Sequence, residues 1–277
     1  MRAGLVQMTA SDDPAENLAQ ATLLITRAAG EGADLVLTPE VTNCVSASRT
    51  RQNEVLRHEA DDPTLNGLRD LAARQGLWLV IGSLALKTGD VDGRFANRSF
   101  LIGPDGAIAA RYDKIHMFDV QVSETETYRE SEGFRPGDRA VMAQTPLGRI
   151  GLTVCYDVRF PQLYRALAQA GAEVLTVPAA FSPVTGAAHW EVLLRARAIE
   201  TGAWVLAPAQ TGQHPASRGR ARRTWGHSMA VAPWGEVVAD AGTEPGVTMV
   251  DIDLAAVAEA RRKVPSLTHD RPWAAPA

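Results

Sequence analysis

The sequence predicts an α/β protein assembled from strand–helix–strand units. Short apolar runs of strand length alternate with helical patterns along most of the chain. The runs are apolar throughout instead of alternating with polar residues, as in strands buried on both faces. The stretch "RAGLVQ" (2–7), a helix and "GADLVLTPE" (32–40) is echoed about 140 residues later by "RIGLTV" (149–154), a helix and "GAEVLTVPA" (171–179). The echo predicts two related half-sheets packed together. No Pro/Ser-rich linker divides residues 1–277, so one domain is expected, with an aperiodic tail at about 265–277.

The elements follow in order. "AGLVQM" (3–8) reads as a buried strand. Asp13 can cap the next helix, Pro14 suits its first turn, and Gly30 and Gly32 mark its end; Leu18, Ala21, Thr22 and Ile25 share a face. "ADLVLTP" is the second strand, 63–76 a helix and 77–86 a strand. Residues 98–114 read as a hairpin about a Pro-Asp-Gly turn. The run ending at Val154 is a strand, followed by a helix from about Pro161 to Ala170 and the strand "AEVLTVPAA". In "AAHWEVLLRARAIETG" the residues Trp190, Leu193, Leu194 and Ala198 share one helical face, and Glu191 and Arg195 form an i,i+4 pair. "AWVLAPA", "HSMAVAP", "GEVVAD" and "VTMVDID" are strands, and 254–262 is a short helix.

Composition narrows the function. The chain is 45% hydrophobic and 22% charged with a formal net charge of −4, so no overall basic field attracts nucleic acid or an anionic membrane. Two cysteines, Cys44 and Cys155, do not make a disulfide framework and favour a reducing, cytoplasmic setting. The first residues lack the apolar core and cleavage site of a signal peptide, and no apolar run approaches the roughly 18 residues of a membrane span. The six histidines form no short-spaced ligand cluster, so a metal site is not expected.

Three polar residues stand just past strand carboxyl ends, where open α/β sheets gather their sites: Glu40 after "DLVLTP", Lys114 after "AIAARYD" and Cys155 after "IGLTV". Singly, each has a plain structural reading. Together they make one mechanism, because a thiol needs a proton acceptor and an ammonium can stabilise both thiolate and oxyanion. Lys114 and the following helix are expected to depress the Cys155 pKa.

These surroundings resemble the nitrilase, or carbon–nitrogen hydrolase, superfamily. "LVLTPE", "RYDKIHMFD" and "GLTVCYDVRFP" are similar to its Glu, Lys and Cys motifs, and "TGAAHWEVLLRARAIETGAWVLAPAQTG" with "GHSMAVAPWGEVVA" resembles its Nit branch. The resemblance implies a four-layer α-β-β-α sandwich, a homodimer or higher homo-oligomer, and no cofactor. It implies Glu40 as general base, Lys114 as oxyanion stabiliser and Cys155 as nucleophile. Of Glu124, Glu126, Glu130 and Glu132, the match of "ES" before "PG" selects Glu130 as a second glutamate. The backbone N–H of Tyr156 is expected to complete an oxyanion hole. Phe181 and Thr185 match positions that contact the acyl part of a substrate.

The remaining candidates read more plainly. Asp157 and Arg159 are expected to form a supporting ion pair, His116 to be a hydrogen-bonded wall residue, and Cys44 to be an apolar filler. Arg218, Arg220, Arg222 and Arg223 form a basic loop, expected to be solvated or paired with a neighbouring subunit. The expected reaction is attack of Cys155 on a carboxamide, departure of ammonia from a thioester, and hydrolysis of that thioester. Within the branch two substrates compete, deaminated glutathione and alpha-ketoglutaramate. The tyrosine that many omega-amidases carry after the Glu motif is missing from "PEVTNCVSASR", which favours deaminated glutathione. The contrasting expectation is a non-catalytic binding protein on the same fold.

Overall fold

A computed structural model describes residues 1–122 and 126–274. Two six-stranded sheets face each other. The first, ordered β16-β1-β2-β3-β4-β5, contains β1 (Arg2–Gln7), β2 (Leu35–Leu37), β3 (Trp78–Lys87), β4 (Phe95–Ile102), β5 (Ile108–Asp113) and β16 (Gly246–Asp251). The second, ordered β15-β14-β11-β10-β9-β8, contains β8 (Val141–Thr145), β9 (Gly148–Leu152), β10 (Val174–Thr176), β11 (Trp204–Ala207), β14 (Met229–Val231) and β15 (Val237–Asp240). Two hairpin-like pairs stand apart, β6 (Asp119–Gln121) with β7 (Thr127–Arg129) and β12 (Thr211–Gln213) with β13 (Arg223–Trp225).

The helices are α1 (Pro14–Gly30), α2 (Arg49–Val55), α3 (Pro63–Gln75), α4 (Glu130–Gly133), α5 (Pro161–Gln169), α6 (Pro183–Thr201) and α7 (Ala255–Lys263). The caps are local. Asp13 accepts the Ala15 N–H at 2.8 Å, Asp62 accepts the Leu65 N–H at 2.8 Å, and Gly76 closes α3 at φ 64°, where a Cβ would be strained.

The echo in the sequence is a repeat in topology. β1-α1-β2-α3-β3 makes three adjacent parallel strands, and β9-α5-β10-α6-β11 makes three more. Each set is flanked by an antiparallel strand on one side and an antiparallel pair on the other. Side-chain alternation divides the packing. Leu35, Leu37 and Val80 point into the apolar layer shared with the second sheet, whereas Val36, Leu79 and Ile81 pack beneath α1 and α3 with Ile25, Leu68 and Leu71. On the far side Trp190, Leu194 and Ala198 of α6 are buried, and Leu193 is partly so. These are the four layers of the expected α-β-β-α sandwich.

The sequence reading did not foresee α2, α4 or the β6-β7 pair. They are short, and they hold their places through long-range contacts. Arg49 of α2 donates to the Gly133 carbonyl at 2.8 Å and lies 3.7 Å over the Phe95 ring.

Candidate active site

Glu40, Lys114 and Cys155 meet where strands β2, β5 and β9 run out. Glu40 sits three residues beyond β2 on a tightly held turn. The Gln210 side chain donates to its carbonyl at 3.0 Å, and Val41, at φ 47°, donates to Ser83 Oγ at 2.8 Å. Gly82 makes room for this turn, since a Cβ there would lie 2.0 Å from the Thr38 carbonyl oxygen and 2.6 Å from that of Pro39. Lys114 directly follows β5. Cys155 opens a 3-10 turn, Cys155–Arg159, at φ 51°, a left-handed conformation that a non-glycine residue holds only when its surroundings impose it. Its N–H is anchored on the Pro178 carbonyl at 2.9 Å.

Lys114 Nζ donates to Glu40 Oε1 at 2.9 Å and to both oxygens of Glu130 at 2.8 Å. Asn97 Nδ2 bridges the same two carboxylates, at 2.9 Å to Glu40 and 3.3 Å to Glu130. The Ala180 N–H reaches Glu40 Oε2 at 2.9 Å, and the Phe118 N–H reaches Glu130 Oε2 at 2.7 Å. Cys155 lines the same cavity as Glu40, close enough for each to shift the other's ionisation.

The electrostatics separate the roles. Burial drives the Glu40 carboxyl up, but Lys114, Arg222 and the donated hydrogen bonds outweigh it and hold it below the ordinary 4.5. Burial lowers the Lys114 ammonium, but Glu130 and Glu40 outweigh it and keep the group firmly charged. Burial and then the Glu40 carboxylate push the Cys155 thiol well above 9.0, and Lys114 only partly opposes them. The expected depression of this thiol is therefore corrected. The resting group is a neutral thiol beside an ionised carboxylate, which suits proton transfer during attack.

These groups form the floor of a cavity of about 440 Å³. Its walls include Phe118, Tyr128, Phe134, Tyr156 and Phe181, with the cations Arg49, Arg129 and Arg222. Phe181 is buried and packs on Trp190 with ring centroids 4.8 Å apart. Thr185 is not among the lining residues; its hydroxyl faces the Ser182 carbonyl at 3.5 Å in the first turn of α6. Glu132 lines the wall, Glu126 accepts from Tyr128 and Ser182, and Glu124 lies outside the described residues. Cys44 also lines the cavity, and burial raises its thiol to about 12.

The expected Asp157–Arg159 ion pair does not form. Asp157 turns inward, 0% exposed, and accepts from Tyr112 Oη at 2.7 Å, Val154 N–H at 2.9 Å and His116 N–H at 3.0 Å, with His116 Nδ1 at 2.7 Å. Arg159 turns outward to His189 Nδ1 at 3.2 Å and lies over the Tyr156 and Phe181 rings at 5.7 and 5.5 Å. His116 is hydrogen-bonded as expected, to Asp157, and stacks on Phe160 at 3.5 Å, but it is not among the residues lining the cavity. The basic loop divides: Arg218 pairs with Glu54 at 2.6 Å, Arg223 opens β13, and Arg222 turns into the cavity.

Sequence reasoning missed Asn97 and the Ala180 N–H, and it named Arg222 only within a basic loop, without its place in the cavity. Asn97 left a signal, because a buried amide inside the apolar strand "FANRSF" needs a partner. Among the described residues no group of three or more His, Cys, Asp or Glu is placed to hold a metal ion, and no helix is long and apolar enough to cross a membrane.

The chain is similar to known proteins over nearly its whole length. The family described as carbon-nitrogen hydrolase matches residues 2–262. A deaminated glutathione amidase from Yersinia enterocolitica is 40% identical over 96% of this chain and 92% of its own. An omega-amidase from Bos taurus is 36% identical over 98% of this chain and 95% of its own. Among solved structures, a glutamate-to-glutamine mutant of an amidase from Nesterenkonia, with acrylamide added at its active-site cysteine, has a TM-score of 0.77 at 28% identity, covering 96% of this chain and 98% of that one. The strand-end cluster of thiol, carboxylates and ammonium thus lies within a carbon–nitrogen hydrolase, and the chain belongs to that family.

Proposed function

We propose that this enzyme is a cofactor-independent thiol amidase whose substrate is deaminated glutathione. One observation carries the chemistry: an ionised carboxylate, Glu40, paired with Lys114 at 2.9 Å, and a neutral thiol, Cys155, come together at the floor of a walled cavity. Glu40 takes the thiol proton as Sγ bonds to the amide carbon. The carbonyl electrons move to oxygen, where Lys114 Nζ and the Tyr156 N–H stabilise them. Asp157 N–H to Val154 O at 3.1 Å is the first bond of the 3-10 turn, so the Tyr156 N–H precedes the ladder and is available.

The tetrahedral species collapses, the C–N bond breaks, and Glu40 returns the proton to the leaving nitrogen. Deaminated glutathione is a peptide-like secondary amide, so the leaving group is an amine, and ammonia departs only from primary amides. Water, deprotonated by Glu40, then attacks the thioester; the acid leaves and the thiol is restored. Glu130 holds Lys114 in place, and Phe181 forms the wall against the acyl chain.

The substrate choice rests on the 40% identical amidase and on the absence of a tyrosine after Glu40. The omega-amidase at 36% identity makes alpha-ketoglutaramate the second reading. Side-by-side kcat/KM values decide between them, with deaminated glutathione expected to be at least tenfold better, a difference of about 1.4 kcal/mol in the transition state. A clear advantage for alpha-ketoglutaramate overturns the choice.

The reading includes a cytoplasmic homodimer. Val184, Val192 and Ile199 of α6 are 52%, 67% and 56% exposed, an apolar face suited to a second copy.

A further inference from the structure

The cavity floor is not short of negative charge. Lys114 is enclosed by two carboxylates, Glu40 and Glu130, so the cluster is net anionic before any substrate arrives. A carboxylate-bearing substrate needs a cation elsewhere. Three line the walls. Arg49 is engaged with the Gly133 and Gly93 carbonyls and the Phe95 face. Arg129 is solvent-exposed and donates to the Tyr128 carbonyl at 3.1 Å.

Arg222 differs. One Nη donates to the Ala180 carbonyl at 2.6 Å, and its guanidinium lies 5.7 Å from the Tyr128 ring centre. Its Nε is buried and has no hydrogen-bond partner. No ion pair joins it to a carboxylate among the described residues. Buried donors almost always find an acceptor, and one left without in a residue that lines a cavity keeps hydrogen-bonding capacity in reserve. The Arg222 charge also reaches the reacting groups, since it helps to lower the Glu40 carboxyl.

The backbone of the residue is anchored. The His214 N–H donates to the Arg222 carbonyl at 2.9 Å, and the buried His214 ring is fixed between the Ala10 carbonyl and Thr224 Oγ1, each at 2.7 Å. A guanidinium that lines the cavity without a carboxylate partner among the described residues is suited to a substrate carboxylate.

We propose that Arg222 is a carboxylate-binding residue of this cavity, its guanidinium receiving a substrate carboxylate. The proposal rests on the reading of the enzyme as an amidase of carboxylate-bearing amides, and adds the group that selects them.

The test compares acid and neutral probes in the full-length wild type, Arg222→Gln and Arg222→Lys. Succinamate against butyramide places the carboxylate on the acyl side. N-butyrylglycine against N-butyrylglycine methylamide places it on the leaving side. Using the ratio of kcat/KM within a pair cancels any change in Glu40, which acts on both members. The ratio is expected to fall about 10- to 100-fold in Arg222→Gln for the pair whose carboxylate Arg222 receives, and less in Arg222→Lys, which keeps the charge without the fork.

Ratios unchanged in both pairs overturn the proposal. Succinate and N-acetylglycine binding to the resting protein, followed by calorimetry, gives a readout independent of turnover. One of them is expected to bind at least tenfold more weakly to Arg222→Gln, and equal binding of both to the two proteins overturns the proposal. A wild type that prefers acid probes while Arg222→Gln keeps that preference refutes Arg222 alone. A wild type that prefers the neutral probes refutes the substrate reading and the proposal with it.

Discussion

Lys114 and Glu40 form an ion pair of 2.9 Å in which the side chains are only 2% and 5% exposed. They arrive from β5 and β2, separated in the sheet by two strands, and the second sheet brings Cys155 to the same point. One ammonium thus faces two carboxylates in a region poor in water. Lys114→Met leaves Glu40 and Glu130 uncompensated, at a cost of about 3–5 kcal/mol in folding stability at neutral pH. The deficit shrinks as pH falls, because protonating one carboxylate relieves the repulsion. Urea denaturation at pH 7 and pH 5 measures both, and a variant as stable as wild type at pH 7 contradicts this picture.

Glu40→Gln keeps the shape and removes the proton acceptor. Amide hydrolysis is expected to fall about 10²- to 10⁴-fold, the range of a lost general base. The same change removes the carboxylate that raises the Cys155 thiol while Lys114 still lowers it. Alkylation of Cys155 by iodoacetate therefore speeds up as hydrolysis is lost. Peptide mapping after timed alkylation tests this; slower alkylation in the variant contradicts the assigned charges.

The Glu40 carboxyl lies below its ordinary 4.5, so its contribution to stability is present above that value and lost as pH falls through the lower folded one. The acid limb of kcat/KM on a neutral amide is accordingly expected below pH 4.5, with intrinsic fluorescence reporting whether the fold persists. An acid limb near pH 6 in folded protein contradicts Glu40 as the ionised base.

Much of this site was legible because Glu40, Lys114 and Cys155 each follow an apolar strand run. The doubled strand–helix–strand pattern was legible for the same reason, since parallel strands buried on both faces announce themselves as apolar blocks. The partners of the site were not. Asn97 lies within β4, Ala180 contributes only a backbone N–H, and Arg222 cannot be told from Arg218 until the chain folds and Glu54 takes one of them. Asp157 and Arg159 stand two apart on a 3-10 turn and point different ways, so closeness in sequence misled. The thiol was misjudged because the sequence displays Lys114 but not the burial of Cys155 or its contact with Glu40.

Glu130→Gln tests the division of labour between the glutamates. Glu130 grips Lys114 with both oxygens and takes the Phe118 N–H, so the change loosens the ammonium without removing the base. Turnover is expected to fall about tenfold, with acyl-enzyme accumulating as hydrolysis of the thioester slows. Rapid-quench measurement of the acylation burst separates the steps, and equal loss of acylation in Glu130→Gln and Glu40→Gln contradicts the division.

The central claim is that Cys155 carries the acyl group. Intact-mass spectrometry of Glu130→Gln quenched during turnover of deaminated glutathione, followed by peptide mapping, addresses it directly. The account predicts an adduct equal in mass to the acyl part, on the peptide containing Cys155, absent in Cys155→Ala and released by hydroxylamine as a thioester is. An adduct on Cys44, or undiminished amide hydrolysis by Cys155→Ala, would contradict it.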